Sequence, residues 1–259
     1  MSAGRHALVT GAGSGIGRAV ALALAASGHR VSLAGRRAGP LEEVGREIAV
    51  AGGTSAVVDG FDVADPRAVE RGVARALEAG GGVAVLVNCA GEAPSAPFDK
   101  TGLDLWNRVI GINLTGAFLV TQALLPSIRC AGNGRIVNVA STAGLTGYAY
   151  VSAYCASKHG LVGLTRALAL ELARTDVTVN AVCPGFTDTP LIAGAVETIA
   201  GKTGRSRDEA RASLARVNPQ GRLVTPQEVA DTVLWLVSEK SSAITGQAIP
   251  VAGGEVMSG

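Results

Sequence analysis

Tyr154 and Lys158 stand four residues apart, and Ser141 precedes Tyr154 by thirteen residues. In a helix, a spacing of four puts the phenol and the ammonium group on one face. A phenol ionises at about pH 10 and is a poor base at neutral pH, but a nearby ammonium group favours the phenolate and brings its pKa toward the working range. A serine hydroxyl at the same carbonyl oxygen would complete a polarising site. These residues predict proton transfer at a carbonyl or alcohol oxygen.

The Tyr-x-x-x-Lys spacing is common by itself, and a glycine-rich turn upstream gives it weight. The turn reads Thr-Gly-Ala-Gly-Ser-Gly-Ile-Gly over residues 10–17, after an apolar strand and before an apolar helix. Such glycines let the backbone approach a pyrophosphate, and the helix N-terminus offers free N–H groups. The strict Gly-x-Gly-x-x-Gly pattern is not matched, and a tight turn without a ligand would also use glycines. The position of the glycine-rich turn between a strand and a helix favours a dinucleotide site. The predicted contacts are Gly11, Ser14, Gly15, Ile16 and Gly17.

The end of the second predicted strand distinguishes the two nicotinamide cofactors. An acidic residue there would hydrogen-bond the ribose 2′-hydroxyl of NAD, whereas this chain has Gly35 followed by Arg36 and Arg37. Guanidinium groups pair with a 2′-phosphate, which a carboxylate would repel. The arginines therefore favour NADP(H), with NAD(H) as the alternative; two arginines in a loop could also simply face solvent.

These residues need a scaffold that brings separate strand ends together. Short β-branched runs alternate with longer helical patterns along the chain: strands at 6–10, 30–34, 54–59, 83–87, 135–139, 177–182 and 248–251, and helices at 16–27, 40–51, 66–78, 103–129, 152–174 and 226–238. This alternation predicts an α/β fold, a Rossmann-like doubly wound parallel sheet of about seven strands with helices on both faces. We expect one domain over residues 1–259, with an insertion at about 187–223 beyond the carboxyl ends of the strands.

Composition excludes several other classes of protein. A count of 23 Lys+Arg against 21 Asp+Glu leaves a charge of +2, without the basic excess that nucleic-acid or anionic-membrane binding requires. The cysteines form no Cys-x-x-Cys pair and only three histidines are present, so we predict no metal site. Scattered thiols fit a reducing cytoplasm. The uncharged run at 109–128 has the length of a membrane-spanning helix, but its polar residues and proline favour a buried amphipathic helix.

The chain resembles the short-chain dehydrogenase/reductase family along essentially its whole length. Besides the residues above, the matching positions are Asp62-Val63, Asn88-Cys89-Ala90-Gly91, Asn113 and Pro184-Gly185. The resemblance implies that Tyr154 is the general acid/base and that Ser141 orients the substrate carbonyl. It also implies that Lys158 lowers the Tyr154 pKa and holds the nicotinamide ribose, and that Asn113 anchors a water in a proton relay.

The same resemblance implies cofactor contacts. It places Asp62 near the adenine ring and Asn88 near the adenosine ribose, and it places Thr187 and Thr189 near the nicotinamide amide and the phosphates. Further contacts are implied for Val63, Ala90, Gly91, Tyr154, Lys158, Pro184 and Gly185.

Three positions qualify the resemblance. The family more often has Asn-Asn-Ala-Gly, so Cys89 replaces an asparagine, and we expect local repacking. NADP-preferring members often carry a basic residue where Ser14 stands, which weakens the NADP prediction. His159 lies about 100° around the helix from Lys158 and is interpreted as structural.

Within the family, residues 153–172 and 179–190 are most similar to 3-oxoacyl thioester reductases and polyketide ketoreductases. The similarity implies a cytoplasmic, NADP-preferring oxidoreductase that interconverts a ketone and a secondary alcohol, with a coenzyme A or acyl-carrier-protein thioester as a candidate substrate. The alternatives are an NAD-dependent dehydrogenase of a cyclic, sugar or steroid alcohol, and a non-catalytic NADP-sensing protein. Family likeness also suggests a homotetramer, with the helices at 103–129 and 152–174 forming one interface.

The insertion corresponds to the family's substrate lid and is locally basic. Between residues 198 and 222 it carries six cations against the two acids Asp208 and Glu209, an excess of +4; the cations are Lys202, Arg205, Arg207, Arg211, Arg216 and Arg222. We hypothesise that some of these cations hold the phosphates of a thioester substrate. The alternative is a solvated amphipathic helix at 207–217.

Overall fold

All seven predicted strands join one parallel sheet in the computed structural model, which describes residues 4–257. The strands are β1 (His6–Thr10), β2 (Arg30–Ala34), β3 (Thr54–Val58), β4 (Val83–Asn88), β5 (Arg135–Val139), β6 (Thr178–Pro184) and β7 (Ala248–Val251). Their order across the sheet is β3-β2-β1-β4-β5-β6-β7, and every neighbouring pair is parallel. The predicted doubly wound sheet is confirmed.

Helices connect the strands and cover both faces. They are α1 (Gly15–Ala26), α2 (Ala38–Val50), α3 (Pro66–Gly80), α4 (Leu103–Ile110), α5 (Gly116–Cys130), α6 (Ser152–Glu171), α7 (Pro190–Thr203), α8 (Arg207–Ala215) and α9 (Pro226–Val237). The predicted C-terminal ends of the helices differ from the observed ones by one to three residues; α6, for example, ends at Glu171 rather than at residue 174.

The core is divided by the sheet, because successive strand side chains point to opposite faces. On β1, Ala7 and Val9 belong to the buried layer that includes residues of α1 and α9. Leu8 belongs to the opposite layer, with residues of α3 and α5. Burial on both faces explains why the strands are nearly continuous apolar runs.

The helix predicted at 103–129 is interrupted. A π-helical turn, Gly111–Thr115, separates α4 from α5. By length and composition alone, the combined helix Leu103–Cys130 is apolar enough to cross a membrane, and 39% of its most apolar window is buried inside the protein. Its residues Val120, Leu124 and Ile128 are fully buried under the sheet.

The insertion after β6 contains α7 and α8. Its small apolar cluster is built around Ile192, Val196, Ala210 and Leu223. An isolated parallel bridge between Thr187 and Val224 joins the two ends of the insertion. The predicted segment at 187–223 therefore begins and ends on adjacent backbone, beside the carboxyl end of β6.

Candidate active site

A cavity of about 970 Å³ opens where the strand order reverses between β1 and β4. Doubly wound sheets bind ligands at this point. It is lined by most of the residues predicted from the sequence: Gly11, Ser14, Gly15, Ile16, Gly17, Arg36, Arg37, Asp62, Val63, Ala90, Gly91, Ser141, Tyr154, Lys158, Pro184, Gly185, Thr187 and Thr189. Asn88 and Asn113 are not part of this lining and instead border a small neighbouring void.

The glycine-rich turn forms one wall of the cavity. Gly11 and Gly15 have φ angles of 68° and 53°, in the left-handed region that favours glycine. A Cβ at Gly17 would lie 2.3 Å from the Gly11 carbonyl oxygen, so the turn closes tightly onto α1. Ser14 is the N-cap residue of α1, and its side chain caps none of the described N–H groups. This backbone cradle fits the pyrophosphate of a dinucleotide.

Basic residues lie at the β2 end of the cavity. Arg36 and Arg37 are exposed, and neither forms an ion pair with a residue in the range 4–257. The Asp62 carboxylate accepts a hydrogen bond from the Ala64 N–H at 3.0 Å. Two guanidinium groups are therefore available to a phosphate here, while one oxygen of the Asp62 carboxylate is engaged by backbone.

The Asn88 side chain lies inside the protein, and the implied position of this residue near the adenosine ribose stays a prediction. Its Nδ2 donates to Thr121 Oγ1 at 3.0 Å and to Asn138 Oδ1 at 2.9 Å, inside the protein. Asn88 is only 4% exposed, so its side chain ties β4 to β5 and α5 rather than facing the cavity.

The segment after β4 is held by a residue that the sequence analysis did not single out. Thr10 Oγ1 accepts hydrogen bonds from the N–H groups of Cys89 and Ala90, each at 3.0 Å. The carboxyl ends of β1 and β4 are thereby fastened together beside the glycine turn. Cys89 lines the cavity, and burial raises the pKa of its thiol to about 12, so it is not a nucleophile at neutral pH.

Asn113 lies in the π-helical turn, a feature that is frequent at functional sites, and is 1% exposed. Its Oδ1 accepts from the Glu92 N–H at 2.9 Å, and its Nδ2 donates to the Glu92 carbonyl at 2.8 Å and to Ser157 Oγ at 3.2 Å. The amide thus fixes the loop that follows Gly91. The implied role in a water relay stays a prediction.

Tyr154, Ser141 and Lys158 meet at the middle of the cavity. Lys158 Nζ lies 5.6 Å from the centroid of the Tyr154 ring and donates to the Val139 carbonyl at 2.8 Å. Ser141 follows β5, and its Oγ accepts from the Ala143 N–H at 3.1 Å. Ser141, Tyr154 and Lys158 all line the cavity. A serine and a tyrosine hydroxyl are thus present in the wall of one cavity.

Burial affects the protonation of both groups. Burial raises the pKa of Tyr154 to about 12, and the Ser141 hydroxyl opposes that rise. Burial lowers the pKa of Lys158 to about 8. The expected lowering of the Tyr154 pKa by Lys158 stays a prediction. At neutral pH, Tyr154 is a protonated phenol, which makes it a proton donor.

A second tyrosine, Tyr148, lines the same cavity and was missed by the sequence analysis. Its hydroxyl hydrogen-bonds with a carboxylate oxygen of Glu255 and, at 2.8 Å, with Thr142 Oγ1. Its ring meets Phe186 edge-on, with 6.0 Å between the centroids. Glu255 is 107 residues away in the sequence, so no local spacing could have joined the pair.

The segment after β6 closes over the glycine turn. Thr187 Oγ1 donates to the Gly185 carbonyl at 2.9 Å, and Thr189 Oγ1 donates to the Thr187 carbonyl at 3.1 Å. A Cβ at Gly15 would lie 3.2 Å from Thr189 Cγ2. The fold therefore brings the glycine turn near the start of the chain into contact with the predicted cofactor-binding segment after β6.

The predicted basic character of the insertion is corrected by ion pairs. Arg211 donates twice to Asp188 at 2.9 and 2.7 Å, and Arg222 donates twice to Glu228 at 2.8 and 2.6 Å. Arg207 pairs with Glu197 at 2.8 Å. These acids lie outside the 198–222 window, so the excess of +4 overstates the free charge. In the described part of the chain, the cations of the window without an ion pair are Lys202, Arg205 and Arg216.

Two further predicted features concern histidine and metal. His159 is exposed, and its Nδ1 hydrogen-bonds with the Cys155 carbonyl at 2.9 Å; it does not line the cavity. Between residues 4 and 257, no group of three His, Cys, Asp or Glu side chains is placed to hold a metal ion.

The chain is similar to known proteins over nearly its whole length. Residues 5–200 match the family model of short chain dehydrogenases. A Streptomyces violaceoruber protein, named as a granaticin polyketide synthase ketoacyl reductase, is 44% identical over 96% of this chain and 92% of its own length. D-beta-hydroxybutyrate dehydrogenase of Cupriavidus necator is 40% identical over 98% of each chain. A crystal structure of an actinorhodin polyketide ketoreductase variant with NADPH has a TM-score of 0.91 at 41% identity, covering 97% of each chain.

Proposed function

The chain belongs to the short-chain dehydrogenase family, and on that premise we propose that it is an NADP-preferring ketoreductase. As a member of the family it is an oxidoreductase that acts on keto or CH–OH groups. The observation that carries the finer proposal is that Ser141, Tyr154 and Lys158 line one cavity together with the glycine cradle. We assign general acid/base chemistry to Tyr154, with Ser141 as its partner at the carbonyl oxygen.

A bound nicotinamide cofactor supplies the hydride for this reaction. The Ser141 hydroxyl donates a hydrogen bond to the ketone oxygen and polarises the carbonyl. Tyr154, protonated at neutral pH because burial raises its pKa, donates its proton to the same oxygen as negative charge develops there. The Lys158 ammonium group, held by the Val139 carbonyl, then favours the phenolate that remains. In the reverse direction, Tyr154 accepts the proton of the alcohol.

The size and the lining of the cavity support a dinucleotide ligand. Ligand cavities span roughly 300–1,000 Å³, and a volume of about 970 Å³ lies at the upper end of that range. We assign the pyrophosphate to the turn at 11–17, the adenine to the wall at Asp62 and Val63, and a 2′-phosphate to Arg36 and Arg37. The same guanidinium groups, without a carboxylate at position 35, are the reason to favour NADP(H) over NAD(H).

For the substrate, we propose a 3-oxoacyl thioester or a related β-keto compound. The relatives named as polyketide ketoacyl reductases support this class, and the unpaired Lys202 lines the cavity from α7. Lys202 and Arg205 are our candidates for contact with the phosphates of coenzyme A or of a carrier protein. We propose that α7 and α8 form the lid over this substrate.

A homotetramer and a cytoplasmic location stay predictions. Phe118 on α5 and Leu170 on α6 are 43% and 80% exposed, so these two helices present apolar side chains at the surface where the interface is predicted. Light scattering after size-exclusion chromatography would give the oligomeric state.

The experiment for the proposed function is a substrate panel. The purified protein is given NADPH or NADH together with a 3-oxoacyl thioester, a cyclic ketone or a ketosteroid, and the loss of reduced-cofactor absorbance is followed. We expect turnover of the thioester with NADPH. Preferred turnover of a cyclic ketone with NADH would favour the dehydrogenase alternative. Cofactor binding without turnover of any ketone would favour the NADP-sensing alternative.

A further inference from the structure

The C-terminal segment, residues 252–257, contacts a tyrosine in the wall of the cavity. Gly253 has a φ angle of 59°, in the left-handed region that favours glycine, and the Glu255 N–H donates to the carbonyl three residues earlier at 3.1 Å. The half-buried Glu255 side chain accepts a hydrogen bond from the Tyr148 phenol at Oε1. A Cβ at Gly185 would lie 2.5 Å from the other carboxyl oxygen, Oε2. The glycine at position 185 therefore leaves room for this carboxyl beside Tyr148.

Tyr148 lines the cavity next to the proposed reaction site. Its hydroxyl hydrogen-bonds with Thr142 Oγ1 at 2.8 Å, and Thr142 directly follows Ser141 in the chain. Its ring meets Phe186 edge-on, and Phe186 lines the same cavity. Tyr148 is thus held at its hydroxyl by Glu255 and Thr142 and at its ring by Phe186.

The Tyr148 hydroxyl has no proton left for a ligand. A phenol has a single proton to donate, and two protein oxygens already lie at this hydroxyl, one from Glu255 and one from Thr142. Burial, and after it the hydrogen bond to Glu255, raise the pKa of this phenol, so it keeps its proton at neutral pH. What Tyr148 offers a ligand is therefore the carbon surface of its ring. We call the rings of Tyr148 and Phe186 the aromatic face.

We propose that the apolar substituent of the ketone packs against the aromatic face, and that Glu255 is a positioning residue that acts through Tyr148. A ring that is already fixed loses less conformational entropy on binding than a ring that the substrate must order. The inference rests on the proposed ketoreductase function. It narrows the substrate class to ketones with an extended apolar substituent on the reacting carbon.

The test compares two uncharged substrates, ethyl acetoacetate and ethyl 3-oxohexanoate, whose ketones carry a methyl and a propyl group. In the wild type with NADPH, we expect kcat/KM to be at least about fivefold higher for the propyl ketone, because two fully buried methylene groups would contribute roughly 15-fold. In Glu255→Ala, this ratio should fall to about twofold or less, while the Kd for NADPH stays unchanged. The control is Glu43→Ala, which removes an exposed acid on α2 and should leave the ratio unchanged.

Two further variants test whether Glu255 acts through Tyr148. Glu255→Gln keeps a hydrogen-bond acceptor for the phenol and should keep the wild-type preference for the propyl ketone. Tyr148→Phe keeps the ring but removes the hydroxyl, so it should lower the ratio, and adding Glu255→Ala should lower it no further. Additive effects of the two changes, or a Glu255→Gln variant as impaired as Glu255→Ala, would overturn the positioning role. If Glu255→Ala does not fold, an unchanged ratio in Tyr148→Phe overturns it.

The outcomes separate this inference from the proposed function. Equal kcat/KM for the two ketones in the wild type would overturn the inference and leave a ketoreductase without selection for an apolar substituent; this comparison needs no variant. Loss of turnover of both ketones in Tyr148→Phe, with NADPH binding intact, would also overturn it, because Tyr148 would then serve the reaction rather than the choice of substrate. No turnover of these or any other ketones by the wild type, with either cofactor, would overturn the proposed function itself.

Discussion

The side-chain amide of Asn113 is paired with the backbone of Glu92 at both of its polar ends, through hydrogen bonds of 2.9 and 2.8 Å. Glu92 begins the loop at 92–97, which lines the cavity beside Gly91. Asn113 in turn sits in the π-helical turn that interrupts the long helix. The pair therefore fixes the loop at 92–97, which lines the cavity, to the π-helical turn.

Replacing Asn113 with Ala should cost both stability and activity. The Glu92 N–H and carbonyl would lose their partners, and partly buried backbone groups without partners cost about 1–3 kcal/mol. Urea unfolding followed by circular dichroism measures this loss, and kcat for a ketone should fall with it. The control, Asn107→Ala on exposed α4 surface, should stay within about 0.5 kcal/mol. Equal effects of the two changes would argue against the pairing.

Tyr154→Phe should lower kcat by roughly 10²–10⁴-fold, because it removes only the proton donor. Cofactor affinity, measured by titration of protein fluorescence, should stay within about twofold, since the ring and Lys158 remain. Tyr150→Phe is the control, because it removes the phenol of another cavity-lining tyrosine whose side chain is 66% exposed. A Tyr154→Phe variant with more than about a tenth of the wild-type rate would remove Tyr154 from the mechanism.

Gly17→Ala should abolish cofactor binding while the protein stays folded. The added Cβ would lie 2.3 Å from the Gly11 carbonyl oxygen, so the turn that cradles the pyrophosphate must open. Gly39→Ala, at a helical position with nothing within 4 Å of the new atom, serves as the control. Calorimetry measures the cofactor Kd of the wild type and of both variants. An unchanged Kd in Gly17→Ala would place the pyrophosphate elsewhere.

The double change Gly35→Asp/Arg36→Ala should reverse the preference for NADPH over NADH. An aspartate fits at position 35, because a Cβ there comes no closer than 3.4 Å to the Leu41 side chain, and it would repel a 2′-phosphate. The ratio of kcat/KM values for the two cofactors is the measurement, with Arg46→Ala on α2 as the control. A wild type that already prefers NADH would show the arginines to be solvated loop residues.

Lys202→Ala/Arg205→Ala should raise KM for acetoacetyl-coenzyme A and leave KM for its short N-acetylcysteamine thioester unchanged, since the short thioester lacks phosphates. The difference should shrink as salt rises, because exposed charges are screened. Arg207→Ala removes a cation that is already paired with Glu197, so it is the matched control. The same KM shift for both thioesters would assign the two residues to lid packing.

The sequence was sufficient for the sheet because both of its faces are buried, which leaves strong apolar runs such as residues 83–87. It was sufficient for the lining of the cavity because strand ends and the glycine turn bring those positions together by topology. Side-chain direction was not accessible in the same way. Asn88 stands at the right strand end, yet its amide turns inward to Asn138, a partner fifty residues away.

Charge was predicted less well than position. Counting cations in the insertion could not show that Arg211 and Arg222 are already engaged by Asp188 and Glu228, since these pairs depend on how the insertion folds back. The effect of burial on Tyr154 was hidden from the sequence for a related reason. Spacing shows that a lysine is near, but not how much solvent both groups lose on folding.

The insertion has a small apolar core of its own, built around Ile192, Val196, Ala210 and Leu223, that shares no residue with the two clusters against the sheet. Because the clusters are separate, we expect apolar substitutions in the insertion to leave the packing of the sheet unchanged. If the insertion is the proposed lid, such substitutions would change the substrate range and leave Tyr154 in place.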